Sequence, residues 1–145
     1  MATDLIDPLL LIALRLLFDT AALVLIWLVQ LVIYPSFLYL RGVNFKQWHG
    51  LYTKRVTYVV LPIMLGQLMV YGWLCVAAAS WEVLVNTVLI TAVWFITFFL
   101  AVPLHSALDS ADNHLPLSAR LVRINWWRTG LWTLVWGVST WEALL

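Results

Sequence analysis

The chain reads as an all-α, polytopic membrane protein, a bundle of four transmembrane helices joined by short loops. Its 145 residues are 64% hydrophobic and 10% charged, whereas soluble domains carry roughly 25% charged residues. Mean hydropathy is +0.96. Four apolar stretches have the length of roughly 20 residues that a helix needs to cross the hydrocarbon core. A β-barrel does not fit, because its strands would be short and alternating rather than long and unbroken.

The elements follow in order. A first helix over about 9–34 should stop at the Tyr34-Pro35 break. It does not read as a secretory signal: Asp4 and Asp7 precede it where positive charge is required, and it exceeds the roughly 7–15 apolar residues of a signal core. Arg41 to Asn44 reads as a turn, with Asn44 as an N-cap for the second helix over about 45–79. That helix begins amphipathic, through Arg55, and a bend is expected at Pro62. Ser80-Trp81-Glu82 leaves room only for a tight hairpin into a third helix over about 83–105, which meets Pro103 near its end. Asp109 to His114 is the most loop-like stretch, and a fourth helix covers about 118–144. This amounts to a single domain over 1–145, without repeats.

Charge sets the orientation. Arg41, Lys46, Lys54, Arg55, Arg120, Arg123 and Arg128 flank the first and third connections, while Asp4, Asp7, Glu82 and Glu142 lie at the opposite ends. Positive residues stay cytoplasmic, so both termini and the middle hairpin should face away from the cytoplasm of a bacterial-type inner membrane. A net charge of +1 argues against nucleic acid as a partner. Cys75 is the only cysteine, so no disulfide framework or Cys-x-x-Cys pair exists. Ten tryptophans suit interface anchoring, with Trp48, Trp126 and Trp127 at one boundary and Trp73, Trp81 and Trp141 at the other.

Polar groups inside the spans narrow the search for function, because they are expensive there and usually face a bundle interior. Helix one carries Arg15, Asp19, Gln30 and Tyr34 along one seam, and the i,i+4 spacing of Arg15 and Asp19 allows them to neutralise each other. Helix two adds His49, Tyr52, Arg55 and Tyr58, with Gln67 deeper. Helix three ends in His105, and helix four offers Asn125, Arg128 and Thr129. Gln30, Tyr34, Tyr52 and Arg55 are candidate ligand-binding residues, and His49, His105, Asn125 and Arg128 candidate catalytic ones. All should converge on one cavity open toward the cytoplasmic interface. The bland alternative is interfacial polarity and snorkelling arginines. His49, His105 and Asp109 also form a candidate metal trio, two imidazoles and a carboxylate suiting iron, copper or zinc. Haem, serine-based catalysis and phosphate loops find no support.

With those residues set out, a resemblance emerges. Val102-Pro103-Leu104-His105, then Leu121 and Asn125-Trp126-Trp127-Arg128-Thr129, resemble the carboxy-terminal half of the anthrone oxygenase-like family of small four-helix membrane proteins. That family ends helix three with Pro-Leu-Asn, where this chain has His105, and opens helix four with Asn-x-x-Arg-Thr. Tyr34-Pro35 and Phe45-x-x-x-His49 are similar to an arrangement in other bacterial membrane proteins. The resemblance implies cofactor-independent oxygenation of a fused aromatic phenol, with His49 or His105 as base and Arg128 and Asn125 stabilising the oxyanion. Three classes remain open: a membrane enzyme acting on a lipophilic molecule, an accessory subunit of a homo-oligomer or larger membrane complex, and a binder or transporter of a small hydrophobic molecule.

Overall fold

The computed structural model describes residues 7–40 and 42–144. Asp4 and Arg41, used above for topology, and Leu145 lie outside the described residues. Every regular element among them is helical. Four long helices follow one another: Pro8–Ser36 (α1), Gly42–Ala77 (α2), Trp81–Ser110 (α3) and Leu115–Leu144 (α4). Three are long and apolar enough to cross a membrane: α1, α2 from Asn44 onward, and α3. The fourth has the length but is less apolar, since Arg120, Arg123, Asn125 and Arg128 lie in its first half.

Local chemistry fixes the ends. Asp7 caps α1, accepting from the Leu9 amide (2.9 Å), with Pro8 at the first helical position, where its missing N–H costs nothing. Ser80 caps α3 by accepting from Val83 N (3.3 Å), with Glu82 in the first turn favoured by the helix dipole. Asn113 accepts from the Leu115 amide (3.2 Å) at the start of α4. Asn44 lies inside α2, two residues past its first helical residue, and so is no cap.

The helices form a ring in chain order. Each packs against its sequence neighbours, α4 closes the ring on α1, and no Cα of a diagonal pair comes within 8 Å. Buried apolar groups fill the interior in three clusters. The one nearest the α1–α2 and α3–α4 connections gathers Tyr34, Phe37, Phe45, Leu104, Leu108 and Leu121.

Two departures from the expected boundaries matter for function. Helix α1 does not break at Tyr34-Pro35 but continues to Ser36, and α3 passes through Pro103 to Ser110, which keeps Asp109 helical. In both helices a π-helical turn, Val29–Ile33 or Thr97–Ala101, ends one residue before an X-Pro pair. Proline removes one backbone donor, and the wider turn before it rearranges the ladder around that loss. Helix α2 also runs through Pro62 as one element. No Cα of α2 approaches either π segment within 8 Å, so a gap opens there between α2 and its neighbours.

Candidate functional site

Where the first and third connections meet, four side chains from three helices form a continuous hydrogen-bonded chain. His49 Nδ1 lies 2.7 Å from Asp109 Oδ1, His49 Nε2 lies 2.9 Å from His105 Nδ1, and His105 Nε2 lies 2.9 Å from Tyr34 Oη. The α-helical spacing of His105 and Asp109 puts both on the face of α3 that meets His49 of α2. With Asp109 ionised, one proton assignment satisfies every atom. Tyr34 donates to His105 Nε2, His105 Nδ1–H donates to His49 Nε2, and His49 Nδ1–H donates to Asp109. His49 is fully buried, whereas the Asp109 side chain is 54% exposed. Thus the chain leads from surface to interior. Phe37 and Phe45 wall it in, the Phe45 ring stacking on His49 with centroids 5.3 Å apart.

The inner end of this chain opens on a cavity of about 190 Å³. Tyr34, Tyr52, His105 and Arg128 form its polar end. The rest of its wall is mostly apolar, from Ile26 and Val29 of α1, Val60 and Met64 of α2, Ala101 of α3 and Trp132 of α4. Arg128, 5% exposed, is aligned from behind: Nη1 donates to Asn125 Oδ1 (3.0 Å), and Asn125 Nδ2 donates to Gln30 Oε1 (2.9 Å). The guanidinium also lies over the Trp132 ring, 5.2 Å from its centroid. Among the described residues Arg128 has no carboxylate partner, and its Nε is buried without any partner.

A second polar network occupies the opposite half of the bundle. Asp19, fully buried, accepts from Gln67 Nε2 and Tyr71 Oη (2.7 Å each) and from Ser139 Oγ, while Asn86 Nδ2 donates to Tyr71 and Ser139 (2.9 Å each). Arg15 does not pair with Asp19 as the i,i+4 spacing suggests. It reaches across to Glu142 on α4, because Asp19 is already held by three neutral donors. Trp132 separates the two networks, donating from Nε1 to Gln67 Oε1 (3.1 Å). An indole N–H only donates, so no proton relay runs through this link.

Several expected site residues are brought together and several are not. Tyr34, Tyr52, His105 and Arg128 line the cavity. His49 stands behind His105 and does not line it, and Gln30 and Asn125 hold Arg128 rather than facing the space. Arg55 is exposed and outside the site. The metal trio is not gathered around a common point. No three His, Cys, Asp or Glu side chains among the described residues cluster as a metal site. His49, His105 and Asp109 are strung in a line, with both His49 nitrogens turned to its two neighbours. The cavity rim also differs from the expected opening toward the helix ends. Exposed Thr57 and Leu61 of α2 and exposed Phe98 and Val102 of α3 flank it, so it opens through the side of the bundle.

Residues beyond the sequence reading contribute too. Trp94 and Trp132 line the cavity; the i,i+4 spacing of Arg128 and Trp132 was a usable signal. Asn86 is a lone amide in an apolar run, which should have marked it as inward-facing. His114 is buried in the α3–α4 connection, stacked on Phe45 at 3.7 Å, with Nε2 donating to the Phe37 and Leu40 carbonyls (3.1 and 3.0 Å). Nothing in its spacing announces that role. Comparison of the chain with family models, curated proteins and solved structures gives no match.

Proposed function

We propose that this chain is a four-span protein of a bacterial-type inner membrane, both termini non-cytoplasmic, that binds a lipophilic small molecule in the cavity and removes a proton from it. The observation that carries this reading is the chain Asp109–His49–His105–Tyr34, ending in the wall of an apolar cavity beside buried Arg128. Tyr34 oxygen accepts the ligand proton while its own proton passes to His105 Nε2. His105 releases its Nδ1 proton to His49, and His49 releases its Nδ1 proton to Asp109 at the surface. Arg128 stabilises the negative charge left on the ligand, within a mostly apolar cavity. Asn125 and Gln30 act as positioning residues for the guanidinium. The apolarity of three helices and the clustering of Lys and Arg near this end support the membrane placement. Helix α4 crosses with them, its polar face, Asn125, Arg128, Thr129 and Ser139, turned inward and buried.

Oxygenase-like chemistry, which the short-motif resemblance implies, would begin with the same step. A deprotonated CH₂ carbon gives two electrons pairs to dioxygen in all, becoming C=O, and water leaves. Purification from native membranes in mild detergent, followed by mass spectrometry of extracted small molecules, tests the reading. A lipophilic compound bearing an ionisable oxygen should accompany the wild type and fall at least tenfold in His105→Ala. An identical small-molecule profile for both proteins would sink it, and stoichiometric co-purification of large partner proteins would favour an accessory subunit instead.

A further inference from the structure

We propose that the cavity takes the head of a tailed, single-ring phenol or hydroquinone that enters sideways from the bilayer between α2 and α3. This rests on the functional reading above and adds the class of ligand and its route. Size comes first. A dry cavity of about 150 Å³ holds benzene, so about 190 Å³ suits one substituted ring better than three fused ones. The wall is suited to a ring, since Tyr34, Tyr52, Trp94, Phe98 and Trp132 present aromatic faces or edges to it.

The polar groups are gathered at one end of the cavity. Tyr34, Tyr52, His105 and Arg128 line that end, and Arg128 has no carboxylate partner among the described residues, so a ligand hydroxyl or phenolate oxygen would sit there.

The route follows from the gap in the ring of helices. No Cα of α2 lies within 8 Å of Thr97–Ala101, and beside that gap Leu61, Phe98 and Val102 are 43%, 50% and 45% exposed. An apolar tail attached to the ring would leave through this opening and remain among lipid chains.

The test uses the full-length protein in lipid nanodiscs, titrated with 2-decylhydroquinone, decanoic acid and anthrone. Saturable binding of 2-decylhydroquinone at least tenfold tighter than the other two is expected. Thr57→Trp or Val102→Trp, at the rim, should weaken it tenfold or more with an unchanged melting temperature. Leu134→Trp, on the outer face of α4, should not. If a rim variant melts early, Leu61→Trp replaces it. Tighter binding of anthrone or decanoic acid, still blocked at the rim, would overturn the ring class and leave the functional reading standing. Equal uptake by wild type and rim variants would overturn the lateral route. If no probe binds the wild type and no small molecule depends on His105 in native extracts, the inference and the functional reading fall together.

Discussion

Replacing Glu142 by Gln would leave the Arg15 guanidinium, 3% exposed, facing a neutral group in the bundle interior. Removing one partner of a buried pair is harsher than removing both. Glu142 keeps 29% of its side chain exposed, which tempers the loss to about 1–3 kcal/mol. A double-mutant cycle of Arg15→Met with Glu142→Gln, followed by unfolding in detergent, should give coupling of about 1–2 kcal/mol. The corresponding cycle of Arg15→Met with Asp19→Asn should give less. A larger coupling for Arg15 with Asp19 would contradict the pairing described here. Asp19→Ala, by contrast, strands the Gln67, Tyr71 and Ser139 donors together. It should cost about 3 kcal/mol or more, and a melting temperature within a degree of wild type would refute that network.

At the scale of elements, the connection between α3 and α4 does more than join them. His114 gives its Nε2 proton to two carbonyls beyond the end of α1, where the chain leaves the helix, and stacks on Phe45 of α2. Carbonyls past a helix end need partners from elsewhere, and this imidazole supplies them while closing the roof over His49. His114→Ala should therefore destabilise by about 2–4 kcal/mol. It should also loosen ligand retention, although His114 touches neither the cavity nor the relay. Unchanged unfolding in His114→Ala would remove this roof from the account. The same elements explain what could be read in advance. Arg15, Asp19, Gln30 and Tyr34 are visibly one seam, yet an ideal helix would let that seam drift by about 100°. The π turn at Val29–Ile33 winds it back, leaving all four buried. Wide turns of this kind often accompany functional sites, but no residue pattern marks them. Both proline positions were legible only as breaks, because a π turn before proline lets a helix continue where local propensity says it should end.

For the whole molecule, the four-helix order and the hydrophobic content were legible because bilayer-length apolar runs are hard to mistake. The lateral cavity was not, since it depends on how far α2 stands from two turns that sequence does not reveal. The topology proposed above rests on charge, and reporter fusions check it. A fusion at the carboxy terminus should be active only outside the cytoplasm, and one inserted at Asp112 only inside; the reverse pattern would invert the placement of Asp109 and its relay. In the proposed relay, two imidazoles pass a proton between a surface carboxylate and a buried tyrosine. The chain has three histidines, so ¹⁵N-histidine NMR of the protein in nanodiscs addresses that claim with little ambiguity. A ¹⁵N–¹⁵N coupling across the hydrogen bond should link His49 Nε2 to His105 Nδ1, vanish in His105→Gln, and spare His114, whose Nε2 proton goes to carbonyl oxygens. Two uncoupled imidazoles at His49 and His105, each exchanging freely with water, would contradict the account.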